Sequence, residues 1–289
     1  MNILPNAWRR VPGGGPGPRR PAAPAFADEG LPQAACRHPL FTAAWTRFVF
    51  VHYAVPPGDL APHTPLELDC RDGRALVSLV FFRMSGMAPA VGLTGPLGRL
   101  LCRPASDAGF LNVRTYVRGE AGPGIQFMVE WMDNPLGLCL GPWMYGLPYR
   151  RGRFVDLEHR GTGRRSLRVS DAATRDALDL SVIDDPPGRA APGKGSLADF
   201  LLEKYTAYTC HGGVCRCFQV AHPRWQVSTP LELDIDDRLV CRRCPWFARA
   251  ERIGAHCSPG FGEVRMGAPS LLQADGGGPR AGEAPSPCL

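Results

Sequence analysis

Through the middle of the chain apolar and polar residues alternate with a period of two, the pattern of strands with one face buried. The alternation is clearest over 110–118. There Asn112, Arg114 and Tyr116 share one face, and Leu111, Val113 and Val117 the other. After a turn at Gly122-Pro123-Gly124, the same period over 125–131 sets Gln126, Met128 and Glu130 against Ile125, Phe127, Val129 and Trp131. Asn134-Pro135 predicts a helix start, because Asn can cap free backbone N–H groups and proline suits the first helical position. Gly146 is a left-handed stop, and Pro148 prevents continuation.

Upstream, WTRFVFVHYAV (45–55) is rich in aromatic and β-branched residues and reads as a strand. Asp72-Gly73, leading into ALVSLVFFRM, predicts a hairpin, since the tight turn needs positive φ. That hairpin and the 110–131 pair are expected in one sheet. Residues 84–109 lack periodicity and read as a long loop with a helical turn near Leu97–Leu101. A hairpin is expected over 149–160 and 164–170, closed by Gly161-Thr162-Gly163. Ser196 opens a helix with Asp199 three residues on. Leu197, Phe200, Leu201, Lys204, Tyr205 and Tyr208 follow at helical spacing. Strands are expected at 216–221, 226–235 and 262–266. Residues 1–35 and 271–289 are dense in Pro, Gly and Ala and cannot bury enough apolar surface to order. They read as tails around one domain spanning 36–270.

Composition narrows the function classes. Apolar residues make up 44% of 289, enough for an ample core, and no apolar run is long enough to span a bilayer. No 7–15-residue apolar stretch marks a secretory signal, so a cytoplasmic location and no membrane partner are expected. The net charge of +6 is scattered and almost all arginine, the only lysines being Lys194 and Lys204. Nothing clusters as nucleic-acid binding requires. Eleven cysteines without an export signal argue against a disulfide framework.

Several segments together resemble the YqjF-like family of uncharacterised proteins. They are the 45–55 strand, LELDCRDGRALVSLVFFRM, FLNVRTYVRG, WMYGLPYRRGRF, SLADFLLEKYTAYT and His222-Pro223-Arg224-Trp225, in family order across roughly residues 40–266. That family is similar to the acetoacetate decarboxylase superfamily. The resemblance implies an α+β, mainly β fold: an antiparallel barrel or cone around an internal pocket, with two or three outer helices. It carries no reaction. In acetoacetate decarboxylases the segment after Gly-x-Pro bears adjacent lysines, one of which forms the Schiff base. Here Tyr149 and Arg150 follow Pro148, and neither forms an imine. Lys204 is expected on a helix outside the barrel, its ammonium in water.

The candidate ligand-binding set is Asn112, Arg114, Tyr116, Glu130, Tyr149, His222 and Trp225. If the polar face lines a cavity, Arg114 supplies a forked donor set, Tyr116 a hydroxyl and Glu130 a counter-charge for a small, anionic organic molecule. The competing reading is a half-exposed sheet, or a structural Arg114–Glu130 pair. His222 could act as a general acid–base or be structural. No catalytic residue, cofactor or metal ligand is assigned. The alternative is a non-enzymatic interaction protein holding zinc through Cys210, Cys215, Cys217, Cys241 and Cys244, with His256 and Cys257 as further ligands.

Overall fold

A computed structural model describes residues 36, 38–92 and 95–272; the expected tails lie outside these residues, except for Leu271 and Leu272. The strands are β1 (Pro39–Val55), β2 (Glu67–Leu68), β3 (Ala75–Pro89), β4 (Ala108–Gly119), β5 (Gly122–Met132), β6 (Tyr149–His159), β7 (Arg164–Asp171), β8 (Ala177–Ile183), β9 (Thr206–His211), β10 (Val214–Ala221), β11 (Glu232–Asp236), β12 (Glu251–Gly267) and β13 (Ser270–Leu271). The helices are α1 (Pro57–Leu60), α2 (Gly95–Cys102), α3 (Pro135–Tyr145), α4 (Leu197–Leu202) and α5 (Arg238–Arg243). The expected mainly β fold is what forms, with five short helices among the described residues rather than two or three.

Hydrogen-bonded pairing runs β5-β9-β10-β12-β1-β3-β4 and returns to β5, so the sheet curls into a ring. Beyond the ring, β6, β7, β8 and β11 continue outward from β5. The ring is not wholly antiparallel, because β5 lies parallel to β9, and beyond the ring it lies parallel to β6 as well. For β6 the cause is α3: a parallel neighbour needs a crossover, and α3 is the crossover from β5 to β6. On its outer edge β5 therefore forks. Ile125 and Gln126 pair with β9, and Glu130 to Met132 pair with β6.

Two apolar clusters follow from the two faces of the ring strands. Val49, Val77, Leu111, Val113 and Trp131 pack outward against Leu167, Val169, Leu178 and Leu180 of β7 and β8, and against α5. Phe48, Phe50, Val80, Phe82, Phe110 and Ile125 face inward. Phe50, Phe48, Phe82 and Phe110 stack in sequence across three strands at centroid spacings of 5.3, 4.9 and 4.8 Å. Each fully buried ring contributes about 1.5–3 kcal/mol, so this ladder is a main stabiliser of the interior.

Local signals hold where backbone chemistry is decisive. Asp72 and Gly73 take φ of 49° and 70°. Asn134 accepts from the N–H groups of Leu136 and Gly137, and Gly146 closes α3 at φ 69°. Ser196 caps α4 through the Asp199 N–H. The Asp72-Gly73 hairpin and the 110–131 pair share one sheet through β2–β4 and β3–β4 pairing.

Four expectations fail. A bulge beside Val113/Arg114 inserts one residue into β5, near Met128. It breaks the period of two, so Ile125 and Phe127 belong with the inward cluster and Gln126 does not. The loop expected over 84–109 is shorter, because β3 runs to Pro89 and β4 begins at Ala108. Helix α4 ends at Leu202. Lys204 and Tyr205 lie beyond it, and Tyr208 is in β9, whose pairing with β10 overrides the helical spacing. The strand expected over 226–235 shrinks to β11, with only isolated bridges at Val227 and Ser228 before it.

Candidate functional site

The fork in β5 places the site. Asn112 of β4, Glu130 of β5 and Tyr149 of β6 are register partners in a row across three strands. Arg114 follows Asn112 on the same face of β4, opposite the bulge. The loop after β10 brings His222 and Trp225 over them. These six candidates line one interior cavity of about 90 Å³, walled otherwise mostly by apolar residues such as Phe48, Phe82 and Phe110. The half-exposed-sheet reading is thereby excluded, since Asn112, Arg114 and Glu130 are all buried.

Tyr116, the seventh candidate, is buried beside the cavity and does not line it. Its hydroxyl donates to the Leu201 carbonyl at 3.0 Å and bonds Ser78 at 2.6 Å, tying β4 to the end of α4. Arg114 donates one Nη to the same carbonyl at 3.2 Å and lies over the Phe50 ring at 5.6 Å. Its Nε has no partner among the described residues. The same is true of Asn112 Oδ1, Glu130 Oε1 and Trp225 Nε1. An unsatisfied buried polar atom costs about 1–3 kcal/mol. With Trp45 Nε1, five such atoms belong to residues that line this one cavity.

Burial sets the protonation states. It pushes the Glu130 carboxyl up to about 8, against the opposing effect of Arg114. Glu130 is therefore mostly the neutral acid at pH 7, and the Arg114–Glu130 pair of the competing reading is not formed. Burial likewise drives His222 down to about 4. Its Nδ1 donates to the Pro223 carbonyl at 2.7 Å, leaving Nε2 as an acceptor, and the ring packs against Phe261, Trp225 and Tyr205. A histidine this weakly basic is a poor proton carrier near neutrality. Burial first, then Glu130 and Tyr145, raise the Tyr149 phenol well above its ordinary value.

Lys204 requires a correction. It lines the cavity, and its side chain is only 10% exposed. The ammonium lies 3.6 Å from Asp69 Oδ2 and 4.0 Å from the Phe200 ring centroid. Burial lowers its pKa and Asp69 opposes that shift. Because α4 stops at Leu202, the chain turns Lys204 into the interior rather than onto the outer helix face. Nothing in the helical spacing could have signalled this. Arg150, by contrast, leaves the site and donates its Nε to Asp171 at 2.8 Å.

The sequence pattern also missed a buried polar string. This string joins four strands. His256 Nδ1 meets His52 Nε2 at 2.9 Å, His52 Nδ1 meets Ser78 Oγ at 2.7 Å, and Ser78 meets Tyr116. Since Tyr116 donates to Leu201, each hydroxyl and ring upstream must donate toward it, which fits two neutral histidines. Burial, His256 and Arg114 all push His52 well below the usual imidazole value. His52 sits in an apolar run with no motif to single it out.

The cysteines do not form a metal centre. Cys210 and Cys215 are register partners across the β9–β10 turn and are joined by a disulfide, which removes two of the candidate zinc ligands. Cys241 donates to Asp237, and Cys244 is buried in the outward core. Among the described residues no three His, Cys, Asp or Glu side chains gather as a metal ion would need. No described helix is long and apolar enough to cross a membrane.

Comparison with known proteins agrees with this architecture. The model of the uncharacterized conserved protein family DUF2071 matches residues 42–260. The chain belongs to that family. It is 26% identical over 187 residues to the uncharacterized protein YqjF of Bacillus subtilis, covering 63% of this chain and 72% of YqjF. Among solved structures it resembles the enduracididine biosynthesis enzyme MppR in complex with pyruvate. There the TM-score is 0.56 at 17% identity, over 83% of this chain and 93% of MppR. An acetoacetate decarboxylase-like enzyme from Sphingomonas wittichii RW1 gives 0.53 at 14% identity, over 83% and 96%. Acetoacetate decarboxylase from Legionella pneumophila gives 0.55 at 10%, over 80% and 87%. At these identities the likeness establishes the acetoacetate decarboxylase-like fold.

Proposed function

We propose that this DUF2071 protein binds a small carboxylic acid in the ring cavity, with the carboxylate on Arg114. The observation that carries the reading is a buried guanidinium with an unpartnered Nε, beside a carboxyl held neutral near pH 7. A buried cation without a counter-charge is costly, and an incoming carboxylate supplies both the charge and the acceptor. Neutral Glu130 and the Trp225 indole add donors, and His222 Nε2 adds an acceptor. That MppR takes pyruvate, itself a small acid, supports this ligand class.

A second reading has one observation in its favour. Lys204 in the cavity wall is an amine that could condense with a carbonyl substrate. Against it, Asp69 stabilises the charged ammonium, and an imine needs the free amine. The reading adopted is therefore binding without a covalent bond. Titration with pyruvate and butanoate by calorimetry tests it. Saturable binding is expected, weakened about 10- to 100-fold in Arg114→Met, the range for a hydrogen bond to a charged group. Equal affinity in Arg114→Met, with its melting temperature unchanged, would sink the reading. A borohydride-trapped adduct of acetoacetate on Lys204, seen by intact mass, would replace it with the covalent one.

A further inference from the structure

Next to the acid cavity lies a second space of about 180 Å³, between the ring and α3. The two share Met84, Phe110, Leu147, Tyr149, Phe218 and Met266 in their walls. They are neighbouring chambers with these six residues as common wall. Their chemistry is opposite. The inner one carries Asn112, Arg114, Glu130, Lys204 and His222. Among the described residues no charged side chain lines the outer one, and the Tyr145 hydroxyl there is already spent on the Gly267 carbonyl at 3.1 Å. Leu136 in its wall is 41% exposed, so this wall borders solvent.

Size makes the outer chamber relevant. The inner cavity is well below the roughly 300–1,000 Å³ of ordinary small-molecule sites, and the two together approach the lower end of that range. The inner space suits a carboxylate and a few carbons. Anything larger must extend past Tyr149. Of the chain's seven methionines, five (Met84, Met87, Met132, Met144 and Met266) line the outer chamber. Unbranched thioethers adapt to a guest of irregular or variable shape. Gly141 of α3 lies so close to Tyr149 that an added Cβ would stand 2.1 Å from the ring, so the helix and this ring fix the passage together.

We propose that the ligand is a medium-chain aliphatic carboxylic acid, its carboxylate on Arg114 and its apolar tail running past Tyr149 into the methionine-lined chamber under α3. This rests on the acid-binding reading above and adds the substrate class. The outer chamber then serves as both the way in and the seat of the tail.

The test is a calorimetric series of straight-chain acids from acetate to decanoate on the full chain. Affinity should rise about fourfold per added methylene and then level off when the chamber is full. Met144→Asp should flatten the rise while leaving butanoate binding near its wild-type value. Leu140→Trp, which fills the chamber without charge, should bring the plateau to a shorter chain, and it asks the same question if Met144→Asp does not fold. Affinity independent of chain length, with short acids still bound through Arg114, would overturn this inference and leave the acid site standing. Binding of no acid at any length would overturn both.

Discussion

At the scale of single residues, the site depends on the protonation state of one carboxyl. Glu130 with a pKa of about 8 is mostly neutral at pH 7 and ionises as pH rises through that value. The ionised form would pair with Arg114 and repel a carboxylate in a cavity with little water to screen either effect. Acid affinity should therefore be flat below pH 7 and fall about tenfold per unit well above pH 8, as linkage to one proton requires. Glu130→Gln should remove that fall, because the amide keeps the shape of the neutral acid. Calorimetric titration between pH 6 and 9.5 checks this, and an identical pH profile in both proteins would remove Glu130 from the account. Asn112, Arg114 and Glu130 were legible as one polar face because they lie on strands whose alternation sets it, and Tyr149 only through the family resemblance. Lys204, His52 and Ser78 were not, since each takes its role from partners far away in the sequence.

At the scale of elements, small irregularities aim the side chains. One extra residue near Met128 swaps the faces of β5 midway, so that Glu130 and Phe127 reach the same interior. A second irregularity lies where β12 crosses β1. Arg47 sits at φ 63° and Gly260 at φ 85°, and an added Cβ on Gly260 would stand 2.0 Å from the Trp45 carbonyl oxygen. Neither the backbone angle nor the space admits a side chain there. Gly260→Ala should cost about 1–3 kcal/mol, read as a fall in melting temperature, because the atom in the way is backbone and cannot swing aside. An unchanged melting temperature would show that the two strands can slide apart at no cost. The same irregularity frees the Arg47 side chain to reach outward, where it bonds Asp156 of β6 at 2.9 and 3.0 Å.

At the scale of the whole molecule, the ring and the outer strands share a core. Val49, Val77 and Leu111 of the ring pack with Leu167, Val169 and Leu178 of β7 and β8 in one cluster. Arg47 and Arg165 converge on Asp156 across the same junction, and their hydrogen bonds outweigh the effect of burial and hold its carboxyl below the usual range. A shared core couples the two parts, so heat should unfold them in a single transition. Differential scanning calorimetry resolving two well-separated transitions would contradict this. The cavity depends on that unity, because β5 carries ring pairing on one stretch and outer-sheet pairing on the next.

The sequence by itself determined what local chemistry controls. Turns that need positive φ, helix caps at Asn134 and Ser196, and the alternation over 110–118 were readable because each depends on a few adjacent residues. Ordered segments scattered along the chain were enough to indicate the family and its fold. The tertiary structure alone decided the rest. The position of Lys204 followed from where strand pairing cut α4 short. The parallel pairing of β5 with β6 followed from a crossover, and the face of Gln126 from a bulge. The neutral state of Glu130 followed from burial, which is a property of the closed ring and of no single segment. Long-range packing sets dielectric, register and neighbours, and a pattern of adjacent residues holds no record of them.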